Sequence, residues 1–377
     1  MVLSRDVIVL EDESWNWNEM KSSLKKAKVK GIIDYPTSVE EIEYVAHINS
    51  SQHTVMQRPQ RHKQAPRAWI KKIDSYSIKE KFNKCAAEHG VYVKGDFVKE
   101  LIIICLYVDD LLVTRSNPRF IDEFKKIMEA KFEMTDLGNL SYFLGIEFIH
   151  TTNGLMLHQK KYAGELLKRF NMLECNAAKS PMEANLKLVK DEAEEDADEI
   201  EYMQIIGSLR FLCNNRPDLA FSVGVINMFM NQPKKTHMMV AKRVLRYIKG
   251  TMDCGVLFPS RRKKIAEEIT GYSNSDYGGD PVERKSTFGY IFMLNDALIS
   301  WCSKKQPVVA LSSCEAEYIA GRFATCQGVW IKELMEELKM PLEKPIQLKI
   351  DNVSIINLAK NPVSHGRVNI FRLSFTS

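Results

Sequence analysis

With 377 residues, 45% of them hydrophobic and 27% charged, the chain has a globular composition and the length for two or three domains with cores of their own. Its formal charge of +5 permits a polyanionic partner and excludes the extreme basic class of histone-like or arm-like proteins. Eight cysteines without a CxxC pair argue against a zinc knuckle, and with neither a leader nor an eighteen-residue apolar run they predict reduced thiols in an intracellular protein, cytoplasmic or nuclear, with no membrane contact.

The first 66 residues are a patchwork. An acidic extended stretch, SRDVIVLEDESWNWNE, gives way to the lysine-rich MKSSLKKAKVKG and then to polar SSQHTVMQRPQRHKQAP. None carries a sustained apolar period, so poor order is expected over 1–66. From Trp69 the pattern tightens: Trp69, Ile70, Ile73, Tyr76, Ile78 and Phe82 suit an amphipathic helix. Cys85 and His89, with His62 upstream, are the one cluster of metal-ligating types, and a structural role is expected for them. GVYVKGDFVKELIIICLYVDDLLVTRS reads as strand, Lys-Gly-Asp turn, buried strand, Asp-Asp turn, strand. PRFIDEFKKIMEAKFEM follows as a helix with Phe120, Phe124, Ile127, Met128 and Phe132 on one side. LSYFLGIEFIHTTNGLMLHQKKYAGELLKRF is a second hairpin, turning at TTNG and entering another helix.

An acidic run from Asp191 to Glu201 marks a boundary near 190, as a linker or a solvated helix start. Two helical stretches and then THMMVAKRVLRYIKGT follow it. In the last, Val240, Ala241, Val244, Leu245 and Ile248 form an apolar stripe and leave Lys242, Arg243, Arg246 and Lys249 outside, as a solvated face or a phosphate contact. From about Ile265 the rhythm changes to three short strands, a long helix, a strand ending at Asp351 and a short helix. That α/β order brings the fourth strand in by a crossover.

Two sets of carboxylates stand out. Asp109 and Asp110 are either an acidic turn or ligands for Mg²⁺ and a nucleoside triphosphate, held at the tip of a rigid apolar platform. Asp276, Glu317 and Asp351, on two strand ends and a helix, could converge on a metal, although each could equally be a cap or a solvated acid. Glu315 and Glu317 lie two apart on one helix, so only one can aim at a shared site.

KQAPRAW, LYVDDLLVT, FEMTDLGNLSYFLGIEF, LHQKKYAGELLKRFNM, GSLRFLCNNRPDLAFSVGV and AKRVLRYIKGTMDCGVLF, in this order, resemble the reverse transcriptase of copia-type retrotransposon Pol polyproteins. GYSNSDYGGDPVERKSTFGYIFMLNDALISWCSKKQPVVALSSCEAEYIAG resembles that family's ribonuclease H domain. The resemblance implies a mixed α/β and α+β chain: a partial palm over 67–189, a helical thumb or connection over 190–260, and a ribonuclease H-like α/β domain over 261–377. It implies RNA-directed DNA synthesis with RNA-strand hydrolysis, on RNA, DNA and RNA–DNA hybrid, with Mg²⁺. Asp109 and Asp110 would be the polymerase ligands, Glu317 and Asp351 ligands of the second site, and Lys242, Arg243, Arg246 and Lys249 the phosphate-facing surface. Three departures predict a catalytically defective fragment: no palm aspartate segment precedes KQAPRAW, Asn274 stands where the family carries the first ribonuclease H acid, and the fourth acid is expected past Ser377, with VNIFRLSFTS from Val368 already off the family pattern. DLAFSVG, from Asp218, only imitates the missing palm segment. Asp276, on the same strand face as Asn274, is the candidate for partial rescue.

Overall fold

The computed structural model describes residues 7–10, 52–57, 66–96, 100–107, 110–115, 119–132, 134–260, 268–353 and 355. Most of the segment expected to be poorly ordered lies outside these, but two of its stretches are strands: β1 (Val7–Leu10) and β2 (Gln52–Gln57).

The first sheet grows from the expected hairpins. After α1 (Pro66–Lys79) come β3 (Asn83–Lys84), β4 (Val91–Asp96), β5 (Glu100–Tyr107), β6 (Asp110–Arg115), α2 (Arg119–Phe132) and β7 (Thr135–Asn139). The sheet order is β3-β4-β5-β6-β2-β7, so β2 sits between β6 and β7 rather than beside its sequence neighbours. Both helices lie on this sheet. Trp69 and Ile73 of α1 are one turn apart and buried, as are Phe124, Met128 and Phe132 of α2, and Trp69 meets Phe132 edge-on at 5.6 Å. Ile70 and Ile78, expected on the same stripe, are instead exposed at 38% and 59%. A 3.6-residue repeat turns both away from the face shared by Trp69 and Ile73.

A second sheet, in the order β11-β10-β9-β8, is made of β8 (Tyr142–Phe143), β9 (Ile146–Thr151), β10 (Gly154–His158) and, after a long excursion, β11 (Gly255–Pro259). The TTNG turn closes as expected: Gly154 has φ +138°, and a Cβ there would lie 2.1 Å from the Phe258 carbonyl oxygen of β11. Only glycine allows that approach.

The excursion holds the helical core. α3 (Lys160–Arg169), α4 (Glu199–Leu212), α5 (Ala220–Asn227) and α6 (Lys235–Lys249) bury Leu167, Ile205, Leu209, Ile226, Val244 and Leu245 completely or nearly so. Asp198, inside the acidic run, N-caps α4 by accepting the Glu201 N–H at 2.9 Å. Glu199 and Glu201 complement the same helix end, so the run ends as a helix start.

The third sheet has the order β1-β15-β12-β13-β14, from β12 (Ile269–Ser275), β13 (Thr287–Leu294), β14 (Ala297–Lys305) and β15 (Ile346–Ile350). The first three of the later strands are antiparallel, and α7 (Ser313–Glu337) carries the chain over to β15, which pairs parallel with β12 and with β1. A parallel neighbour requires such a crossover. α7 also reaches the first sheet. Its Glu337 carboxylate accepts the Ala86 and Ala87 N–H groups at 2.6 and 3.3 Å, its Trp330 indole donates to the Ala87 carbonyl at 3.3 Å, and Leu334 and Leu338 pack against the cluster of Cys85, Val91, Val93 and Leu101. Cys85 therefore has the structural role expected of it, and burial pushes its thiol up to about 11. All eight cysteines are free. Among the described residues no helix is long and apolar enough to cross a membrane.

Candidate active site

The apolar platform exists. Ile104, Leu111 and Val113 are buried between the helices and the β5–β6 ladder, and that ladder sets Tyr107 opposite Asp110. β2 lies along the other side of β6, with Gln57 opposite Asp110. Asp110 itself is half-buried at the start of β6. Asp109 lies outside the described residues.

In the third sheet, topology brings the distant acids into electrostatic reach of one another. Glu317, in the second turn of α7, is 7% exposed and accepts the Ser275 N–H at 2.9 Å at the end of β12. Burial, partly countered by that bond and reinforced by the negative charges of Asp351 and Asp276, pushes its carboxyl up to about 7. Its Oε2 is buried with no hydrogen-bond partner. Glu315, two residues earlier, is the capping residue instead: Ser312 accepts the Glu315 N–H, and Glu315 Oε2 accepts the Leu311 N–H at 2.6 Å. Asp351 sits exposed just past β15. The cap role offered for it belongs to its neighbour, since Asn352 Oδ1 accepts the Ile355 N–H at 3.3 Å.

Asn274 lies on the β12 face opposite buried Ser273, and Asp276 follows two residues on. Asp276 is already engaged: its Oδ1 accepts the Thr287 N–H at 2.8 Å and the Gly279 N–H at 3.3 Å, fastening the 276–287 loop. Gly279 is glycine for this reason, because a Cβ would stand 2.3 Å from Asp276 Oδ2. Among the described residues, no three His, Cys, Asp or Glu side chains are gathered to hold a metal ion. The expected ligands Glu317 and Asp351, even with Asp276, do not fit a two-metal centre. Two close divalent ions need bridging carboxylates, whereas Asn274 is a neutral amide and Asp276 Oδ1 is held by two backbone donors.

Gln306 went unnoticed in the sequence. It is 1% exposed, and its Nε2 donates to Ser275 Oγ at 3.1 Å and to the Ala316 carbonyl at 2.7 Å, tying the end of β12 to the turn of α7 that bears Glu317. Its Oε1, like Ser273 Oγ, is buried and unpaired. A lone glutamine after two lysines carries no periodicity or pairing signal.

The basic face of α6 is largely committed within the fold. Arg243 donates to Glu183 at 2.7 Å and Ser180 at 3.3 Å, Arg246 to the Asn176 carbonyl at 2.8 Å, and Lys242 pairs with Glu201 at 3.3 Å. Lys249 is half-buried at the helix end. Asp218, of the imitating DLAFSVG stretch, forms a bidentate pair with buried Arg216.

A mixed α/β chain with an acid-tipped hairpin on one sheet and a carboxylate corner on another is a polymerase-like assembly, and similarity to known proteins agrees. A family model described as reverse transcriptase (RNA-dependent DNA polymerase) matches residues 47–184. The chain is 34% identical over 315 residues to the retrovirus-related Pol polyprotein of transposon RE1 from Arabidopsis thaliana, covering 83% of this chain and 21% of that protein. Identity is 35% over 314 residues to the corresponding polyprotein of transposon TNT 1-94 from Nicotiana tabacum, covering 81% and 23%. An uncharacterised mitochondrial protein of Arabidopsis thaliana is 34% identical over 227 residues, 93% of its own length. The chain belongs to the reverse transcriptase family of copia-type retrotransposon Pol polyproteins, and it spans about a fifth of the length of the polyproteins it matches.

Proposed function

We propose that the chain is a catalytically defective remnant of a copia-type Pol: the later palm over 67–189, a helical thumb or connection over 190–260, and a ribonuclease H-like domain over 261–377. It handles RNA, DNA or their hybrid and catalyses neither DNA synthesis nor RNA-strand cleavage at the rate of its family. The single observation that carries this reading is the pair Asn274 and Asp276: the first is neutral, and the one nearby acid able to replace its charge is bonded to Thr287 and Gly279. Mg²⁺, the metal implied by the family, would meet too little negative charge there to bind in the paired manner hydrolysis requires.

Purified protein with Mg²⁺ and an RNA–DNA hybrid tests the second half of the proposal. No cleavage above background is expected, and cleavage that disappears in Glu317→Ala overturns it. For the first half, Mg²⁺-dependent primer extension that is abolished by Asp109→Ala is the overturning result.

A further inference from the structure

Two cations of the α6 face, Lys242 and Arg243, are paired with Glu201 and Glu183, and a different surface joins exposed cations to aromatic rings. A cleft of about 820 Å³ opens between the helical core and the third sheet, walled by α4 and α5 on one side and by β14 on the other. We infer that this cleft takes single-stranded nucleic acid, a reading that rests on the proposal of a nucleic-acid-handling chain.

Four features of the lining point to that occupant. Its charges are all positive: Arg210, Lys304 and Lys305 line it and no aspartate or glutamate does. Lys305 is neutralised by Asp280 and Glu283, while Arg210 and Lys304 are exposed. The lining thiols add no negative charge, since burial pushes Cys213 up to about 12 and also raises Cys302. Aromatic rings stand on facing walls. Phe221 of α5 is 51% exposed, and Trp301 of β14 is held by donation of its indole N–H to the Cys213 carbonyl at 3.0 Å, which fixes the ring without using its faces. Asn227 contributes an Oδ1 that is buried and unpaired, an acceptor suited to an amino or imino group of a base.

Exposed cations with aromatic platforms are the chemistry by which proteins hold unpaired strands: charge follows the phosphates, and rings stack with whichever base arrives. The volume suits a ligand of nucleotide size rather than a double helix. An extended peptide is the competing occupant for a cleft beside an edge strand. α5 argues against it, because Gly224 brings the helix over β14 so that even a Cβ there would touch the Ser303 carbonyl at 3.5 Å, covering the edge that a peptide strand would need.

The test is fluorescence anisotropy on the full chain with labelled oligo-dT, oligo-rU and an RNA–DNA hybrid duplex, at two salt concentrations. Salt-sensitive binding of the single strands is expected, weakened about fivefold or more by Phe221→Ala and by the pair Arg210→Ala and Lys304→Ala. Hybrid binding should change by less than twofold in the same proteins. All three substituted side chains are exposed, and circular dichroism melts of the variants report whether each one folds. The oligo-dT and oligo-rU arms distinguish DNA from RNA as the strand held. Single-strand binding that is equal in parent and variants overturns the inference, as does its absence from a parent that still binds hybrid. A parent that binds neither overturns the nucleic-acid reading and the inference together.

Discussion

Two buried ionisable side chains, one in the helical core and one in the third sheet, have been treated in opposite ways by the fold. Arg216 is 3% exposed and saturated: Nε and Nη2 grip both oxygens of Asp218, Nη1 donates to the Thr251 carbonyl at 2.9 Å, and Nη2 also reaches Thr251 Oγ1 at 2.8 Å. Tyr247 completes the group, donating its hydroxyl to Asp218 at 3.0 Å with its ring near the guanidinium. Glu317, at 7% exposed, receives one backbone donor and leaves an oxygen unpaired among other unpaired oxygens. The first arrangement locks the 3₁₀ turn at Pro217–Leu219 to the end of α6. The second leaves a carboxyl whose charged form burial disfavours and a single backbone donor only partly supports.

The sharpest way to break this contrast is Arg216→Ala. It removes the four hydrogen bonds that the buried guanidinium donates to Asp218 and Thr251 and leaves its volume empty, so about 3 kcal/mol of stability should be lost, even though Asp218 is partly exposed and keeps its Tyr247 partner. Chemical denaturation followed by far-UV circular dichroism measures it. A loss below about 1 kcal/mol would show that the network is dispensable.

Glu317 should respond to pH with the sign of a raised acid. Its folded carboxyl lies near 7 against an ordinary 4.5, so the folded state holds the proton more tightly than the unfolded chain. The associated stability is complete below about pH 4.5 and is lost as pH rises through about 7, a change of about 3 kcal/mol. Glu317→Gln should remove that slope, and the difference between parent and variant melting curves from pH 5 to 8 isolates it. Parallel curves would place Glu317 in a wetter setting than its burial indicates.

Gln306→Ala comes next in size. It removes two donations, to Ser275 and Ala316, and should cost about 1–2 kcal/mol while freeing the end of β12. Hydrogen exchange at the Ser275 amide reads the second effect directly, since that N–H is the one held by Glu317.

How far these features could be read in advance depends on whether their causes are local. The β5–β6 hairpin, the TTNG turn and the α6 stripe were legible because each is fixed by neighbours in sequence: alternation, a glycine at positive φ, a 3.6-residue repeat. The grouping of Glu317 with Asp276 and Asp351 followed from the strand–helix–strand order with its crossover, while their role as ligands was implied only by family resemblance, since each acid alone could equally be a cap or a solvated side chain. The insertion of β2 into the first sheet and of β1 beside β15 was hidden because both pairings join residues far apart in the chain. Gln306 was invisible because its importance lies only in what it bridges. The basic face of α6 was legible only in part. Its helical spacing is real, but the acids that pair with it, Glu183 on Arg243 and Glu201 on Lys242, come from other parts of the chain that the spacing does not announce.

The smallest expected effect bears on the neutral residue at the centre of the proposal. Asn274→Asp restores a carboxylate near the end of β12, next in sequence to Ser275, whose N–H Glu317 accepts. Without divalent cation the added charge should oppose its neighbours and lower the melting temperature at pH 8, because like charges in one site disfavour joint ionisation. With Mg²⁺ the same charge becomes an attraction, and binding to the folded state should return about 1.4 kcal/mol at ten times the dissociation constant. The parent, with Asn274, should show no such Mg²⁺ response. A parent stabilised by Mg²⁺ to the same degree as the variant would mean that the corner binds the ion without the missing acid, and the contrast between a saturated and a partly supported charge would then extend to a working metal site.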